Sequence, residues 1–142
     1  MFISSNSFER YSEKTGAPQF GDVLFTSGGQ IGITYFKQNN DSIYVQGGAV
    51  LYVKTSKSTD LNGKYLKYYF ESPIMIHYIE LSTIGTTLRH FTLKPANSAP
   101  IYYPKKAEQT KISEILDEIR YLIASNQRKQ NNDRNGSLLL NE

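Results

Sequence analysis

Cysteine and tryptophan are both absent from this chain of 142 residues. Without cysteine there can be no disulfide, no thiolate chemistry and no zinc site of the cysteine type. Histidine is scarce: the 2 present, His77 and His90, fall on different expected elements, and no carboxylate stands at metal-ligand spacing from either. His77 reads as a helix-surface residue, and no metal site or cofactor is expected. No apolar run approaches the ~18 residues that span a bilayer. The opening stretch MFISSNSFERYSEK lacks the basic-then-apolar order of a secretory leader, so the expectation is a cytoplasmic protein with no membrane partner. A strong charge is also missing. The 16 Lys and Arg against 13 Asp and Glu leave +3 and a pI near 9.0. Residues 1–104 hold nine against seven and residues 105–142 seven against six, and so even a spread gives only weak support for a nucleic-acid partner.

Catalytic patterns are missing as well. After Gly29 the chain reads Gln30-Ile31-Gly32 and heads into a strand, not the Gly-Lys-Ser/Thr that opens a helix under a phosphate. No Gly-x-Ser-x-Gly elbow occurs. Asp22 stands at a strand start, where a turn or cap role accounts for it. The chain is read as non-enzymatic.

The length suits about one domain with a single core, and hydrophobic content of 39% with 20% charged is ordinary for a globular protein. The aromatic residues are 11 Tyr and 7 Phe, better explained by core and sheet packing than by base stacking. Residues 1–20 are polar and expected to be irregular. Val23-Leu24-Phe25 is a short strand, 26–29 a turn, and Ile31, Ile33 and Tyr35 alternate as a second strand. Gly28, Gly29 and Gly32 are expected to supply unusual backbone angles or close approach. Ile43 to Val53 is the best strand signal, with a bulge or bend at Gly47-Gly48, and 54–60 is a polar loop. Asp60 or Asn62 can cap a helix that buries Tyr65, Leu66, Tyr69 and Phe70. Pro73 ends that helix or starts another carrying Ile76 and Ile79. Ser82 to His90 is a Gly/Thr-rich loop, Phe91 to Leu93 a strand, Pro95 to Ser98 a turn, and Pro100 to Tyr103 an extended exit.

The stretch from Ala99 to Ile123 organises the rest. Beyond Pro104 the residues Ile112, Ile115, Leu116, Ile119, Leu122 and Ile123 fall at the spacing of one helical face. Glu114, Asp117, Glu118 and Arg120 occupy the other. The fold class is therefore α+β: a small mixed-sheet domain over 1–104, a long C-terminal amphipathic helix over 105–130 with an apolar stripe that requires a partner, and a polar tail over 131–142 expected to be disordered.

Two Gly-rich loops, 26–32 and 82–90, carry side chains suited to base edges and phosphates. Arginine pairs with guanine, glutamine with adenine, and threonine with a phosphate or a thymine methyl. Thr26, Ser27, Gln30, Thr86, Thr87, Arg89 and His90 are the candidates for base contact, with Lys37, Lys54 and Lys57 on phosphates. Composition alone favours ordinary surface loops.

Three features in order, GDVLFTSGGQIG, STIGTTLRHFTL and APIYYPKKAEQTKISEILDEI, resemble the specificity subunits of type I restriction–modification systems. Those show Gly-Asp-(Ile/Val)-Leu and Gly-x-Ile-Gly, matched by Gly21-Asp22-Val23-Leu24 and Gly29-Gln30-Ile31-Gly32. Then follow a Gly-Thr-Thr loop (Gly85-Thr86-Thr87), a proline exit (Pro104), Glu108-Gln109 and a helix of Ile/Leu periodicity. Asn62, Tyr65, Leu66 and Tyr69 match a further helix of that family. The resemblance covers about residues 20–123. It implies a target-recognition domain that reads one half of a split site on double-stranded DNA. Its helix would pack antiparallel on that of a second specificity unit or a second copy and help bind methyltransferase subunits, with the restriction subunit joining through the complex. Two departures stand out: only twenty residues precede the Gly-Asp strand, so the front strands are expected to be missing, and the stripe fades after Ile123, where Asn126 and Lys129 take core heptad positions. The competing expectation is a truncated interaction module that docks on methyltransferase or specificity subunits without reading DNA.

Overall fold

A computed structural model describes residues 4–15, 17–43, 45, 48–84 and 89–139. Its elements run α1 (Ser5–Thr15), β1 (Val23–Thr26), β2 (Thr34–Phe36), β3 (Val50–Val53), a 3-10 turn (Thr55–Lys57), α2 (Gly63–Phe70), α3 (Pro73–Ser82), α4 (Leu93–Asn97) and α5 (Lys106–Leu139). The architecture is α+β. The sheet has the order β2-β1-β3 and both pairings are antiparallel, with Leu24 opposite Tyr35 on one side and Tyr52 on the other. A mixed sheet was expected; the described strands form an antiparallel one, because short turns and loops return each neighbour alongside β1.

One face of β1 builds the core. Val23 and Phe25 alternate inward and meet Leu66, Phe70, Met75, Ile79 and Phe91. Phe25 stacks on Phe70 at 4.7 Å between centroids, and Phe91 takes Tyr78 edge-on at 6.2 Å. Leu66 and Phe70 are one helical turn apart on α2, which Asn62 caps by accepting from the Tyr65 N–H at 3.1 Å. Ser72 and Pro73 open α3 in the same manner, Ser72 accepting from Met75 N–H. Ile79 is buried there and Ile76 is exposed.

Several segments depart from expectation. Residues 5–15 are helical rather than irregular, with Ser4 accepting from the Ser7 N–H at 3.3 Å at the helix start. Ile31 and Ile33 precede β2 instead of lying in it, since Gly29 and Gly32 turn the chain with φ of 68° and 91°. The strand expected from Ile43 begins only at Val50; Tyr44, Gln46 and Gly47 lie outside the described residues. Phe91 to Leu93 is not a strand. Thr92 sits at the N-cap of α4 and Pro95 in its first turn, where its missing N–H costs no helical bond. The long helix continues to Leu139, past its expected end at residue 130 and through most of the stretch expected to be disordered. Residues 140–142 are outside the description.

Candidate nucleic-acid interface

The antiparallel register decides which candidates meet. On β3, Val50 faces Thr26 and Val53 faces Val23, so Lys54 and Lys57 follow the end of the sheet where β1 begins. Lys37 is there too, its N–H donating to Asp22 O at 2.9 Å. Thr26, Ser27, Gln30, Arg89 and His90 gather where β1 ends. The set divides into two groups, separated by the ~13 Å that four strand residues span.

At the far end of β1, Gln30 and Arg89 line one open cleft of about 410 Å³ with Ile31, Ile33, Ile76, Ile79, Glu80 and Thr83. Arg89 is exposed and donates to the carbonyl of Glu80 at 3.2 Å; Gln30 is exposed on the turn after β1. Thr26 holds that turn, donating its hydroxyl to Gln30 O at 2.5 Å and accepting from Ile33 N–H at 3.0 Å. His90 bridges to Gly28 and Ile84, and its ring lies so close to Gly28 that a Cβ there would stand 2.9 Å from Nδ1. The glycine permits the approach of the second loop to the first. Thr86 and Thr87 lie outside the described residues.

Two candidates are corrected. Ser27 is buried, its hydroxyl donating to Gly48 O, its N–H to Ala49 O at 2.8 Å, and its carbonyl accepting from Phe91. It is a structural tie among three segments and presents nothing to a ligand. Lys37 is buried as well, with Nζ donating to the carbonyl and side-chain oxygens of Asn39 at 2.5 and 3.2 Å. Its ammonium stabilises the 38–41 turn and cannot reach a phosphate from there. Lys54 and Lys57 remain exposed on the rim of a polar cavity of about 510 Å³ that Asp22 and Asn40 also line. Asp22 itself accepts from Gln19 N–H at 2.7 Å and Ser56 N–H at 3.0 Å, a cap that joins two turns. Among the described residues no group of three or more His, Asp or Glu could hold a metal ion, and no helix is long and apolar enough to cross a membrane.

The long helix presents two distinct faces. Gln109, Asp117 and Arg120 tie α5 to α2 and the residues flanking it through polar groups, and Ser113, buried between Gln109 and Asp117 in the helix, donates its hydroxyl to Thr110 O at 2.8 Å. Lys64 pairs with Asp117 at 2.6 Å, Tyr68 donates its hydroxyl to Asp117, and Arg120 pairs with Glu71, which Lys67 also reaches at 3.0 Å and to which Thr34 donates. Burial works to raise the Glu71 carboxyl, but hydrogen bonds from Thr34 and Lys67 and the Lys67 and Arg120 charges outweigh it and hold the group below the usual range. Asp117 is likewise lowered: burial opposes, and Lys64 and Tyr68 prevail. Burial and the Asp117 carboxylate push Tyr68 up to about 12. Sequence patterning placed Asp117 and Arg120 on the face opposite the stripe and named no partner for them. The overlooked signal was their opposite charge to Lys64 and Glu71, at helical spacing on both partners.

The apolar stripe stands roughly 100° around the helix from that docked face. Ile112, Ile115, Ile119, Leu122 and Ile123 are all exposed, Ile115 by 56% and Leu122 by 54%. Leu116, between the two faces, is half-buried. At constant direction α2 and α5 run parallel, Gln109 near Asn62 and Arg120 near Glu71, and the helix continues past the end of α2.

Residues 2–133 match the family described as type I restriction modification DNA specificity domain. The chain is also 28% identical over 124 residues to a Haemophilus influenzae protein named as a type I restriction enzyme specificity subunit. The match takes in 87% of this chain and spans 30% of that relative's length.

Proposed function

We propose a function from one established premise: the chain belongs to the type I restriction modification DNA specificity domain family. Our reading is sequence-specific recognition of double-stranded DNA by a non-catalytic unit that serves as a half or partial specificity subunit. Residues 1–104 act as the recognition unit and 105–130 as the spacer and pairing helix. The unit directs methyltransferase subunits, and through the complex a restriction subunit, to one half of a split target.

The observation that carries this reading is the convergence of Gln30 and Arg89, from loops far apart in sequence, on one accessible cleft. An amide and a guanidinium lining one cleft are the pair suited to adenine and guanine edges. Thr86, Thr87 and His90 belong to the second loop, and Lys54 and Lys57 supply phosphate contacts from the other end of β1. The ~13 Å between the groups is close to the ~12 Å width of the major groove, so one duplex can meet both. The stripe from Ile112 to Ile123 is the seam for a second specificity unit or a second copy, paired antiparallel, with helix length setting the half-site separation at about 1.5 Å per residue.

The test is long-read mapping of methylated bases in cells carrying methyltransferase subunits, with and without this chain. A new split motif of two inverted halves means that two copies read DNA together. A change confined to one half of an existing motif means replacement of one resident unit. An unchanged methylation pattern, with the chain still captured by methyltransferase or specificity subunits, would refute DNA reading and leave an interaction module.

A further inference from the structure

Gln109 is a neutral amide with no exposed surface at all, set in the first turns of a helix that is otherwise largely exposed. Its three polar contacts use both N–H donors and the carbonyl oxygen. Oε1 accepts from the Asn62 N–H at 2.8 Å, and Nε2 donates to Asp60 O at 2.7 Å and to Pro104 O at 2.8 Å. The site offers one N–H and two carbonyls. Glutamine matches it with one acceptor and two donors; glutamate brings no donor and leucine brings neither.

The three groups come from the two segments that must be joined: the loop entering α2 and the exit into α5. Asn62 completes the tie, since its Oδ1 caps α2 while its Nδ2 donates to Thr110 Oγ1 at 3.2 Å. The start of α2 and the start of α5 thus form one junction with Gln109 at its centre. Farther along, the contacts holding α5 to α2 are partly exposed ion pairs, which water and salt weaken. The buried amide is the contact least open to that loss.

We infer that Gln109 is a positioning residue that fixes the direction in which α5 leaves the domain, and with it the spacing at which a second recognition unit is held. The spacing part rests on the function proposed above. The lever is long: from Gln109 to Ile123 the helix rises ~21 Å, so a tilt of about 10° at the junction moves the end of the seam by ~4 Å. That exceeds the 3.4 Å rise of one base pair. A partner beyond the seam moves farther. A loose junction therefore blurs spacer length while leaving half-site reading intact.

Absence of cysteine makes the direct measurement clean. Spin labels on the full chain at Lys94→Cys and Gln127→Cys, both exposed positions, report the domain-to-helix distance by pulsed electron resonance. A narrow distribution is expected, broadened or displaced in Gln109→Leu with helical content retained. Thr110→Val removes the Asn62 Nδ2 bond together with the hydroxyl's own bond to Lys106 O inside α5, leaves the Gln109 contacts in place and gives a smaller broadening, so the inference stays testable if Gln109→Leu does not fold. Methylated motifs are then mapped in cells with methyltransferase subunits. Gln109→Leu is expected to keep the half-site letters and to admit more than one spacer length. An unchanged distance distribution in the folded variants overturns the inference, as does a broadened one with the original single spacer. If the unsubstituted chain yields no motif, the proposed function fails, and the label distances still decide whether Gln109 directs the helix.

Discussion

Replacing Ile119 by aspartate tests the seam at its centre. The five exposed stripe residues are each about half accessible, Ile119 by 46%. Complete burial of an Ile or Leu side chain contributes ~1.5–3 kcal/mol, so pairing adds about 1 kcal/mol per residue. Two copies of five residues give roughly 10 kcal/mol of gross stabilisation, against about 4–15 kcal/mol for lost freedom on association. A self-dimer held by this stripe alone is thus marginal, and each side chain counts twice in a two-fold pair. Ile119→Asp forfeits ~1 kcal/mol per copy and leaves a polar group in an apolar seam at a further ~1–3 kcal/mol per copy. The sum is at least about 4 kcal/mol, roughly a thousandfold in dissociation constant. Ile119 is exposed and is none of the residues whose hydrogen bonds or ion pairs hold α5 to α2, so the domain should remain folded. Sedimentation velocity over a concentration series, with circular dichroism as the folding control, measures the effect. Equal self-association of the folded variant and the parent would refute the reasoning.

Gly63→Ala should destabilise the domain although alanine is the better helix former by ~1 kcal/mol. A Cβ would stand 2.2 Å from Gly21 O and 2.7 Å from Thr55 Oγ1, and relief of such overpacking costs about 1–3 kcal/mol; a urea midpoint at or above the parent's would contradict this. Acid should loosen α5 from α2. Glu71 and Asp117 have carboxyls lowered in the folded state, so their contribution is present above the unfolded carboxyl range of about 4 and lost as pH falls through the folded values. Amide exchange along 113–120 that does not accelerate between neutral pH and pH 3, after correction for intrinsic rates, would oppose it. Lys54→Ala is expected to weaken binding evenly across DNA sequences and lower the salt slope by about 0.9, whereas Arg89→Ala should relax preference at one base position. Binding arrays at several salt concentrations separate the two patterns, and identical profiles for both variants would remove the assigned roles.

What could be read without coordinates was local and periodic. The β1 run lies where patterning put it, and of the alternatives left open at the two helices, Asn62 rather than Asp60 caps α2 and Pro73 starts α3. The glycines at 29 and 32 do turn the chain with positive φ. The failures are of another kind. Lys37 looks like any turn lysine until the fold closes Asn39 around it, and Ser27 becomes a tie only when β3 and Phe91 arrive from distant segments. Burial of a polar side chain is a tertiary event, and residue type alone argues for exposure. For the same reason the division of the basic candidates from Gln30 and Arg89 was invisible. It depends on β3 running antiparallel to β1, a matter of register rather than composition.

The two faces of α5 explain why one helix can serve both the domain and a partner. Were the docked face apolar, the stripe and the domain would compete for the same residues, and the helix could settle in more than one rotation. Here the domain is met by Gln109, Asp117 and Arg120, whose partners sit at fixed positions on α2 or at its two ends. Polar contacts of this kind contribute little net stability, but each wrong rotation leaves the buried amide without its donors and acceptors. The apolar residues, which would pack acceptably in many registers, are thereby held outward in one orientation. Directionality resides in the polar face and adhesive surface in the apolar one. A chain that swapped Gln109 for leucine would gain apolar surface at the junction and lose its reason to leave the domain in a single direction.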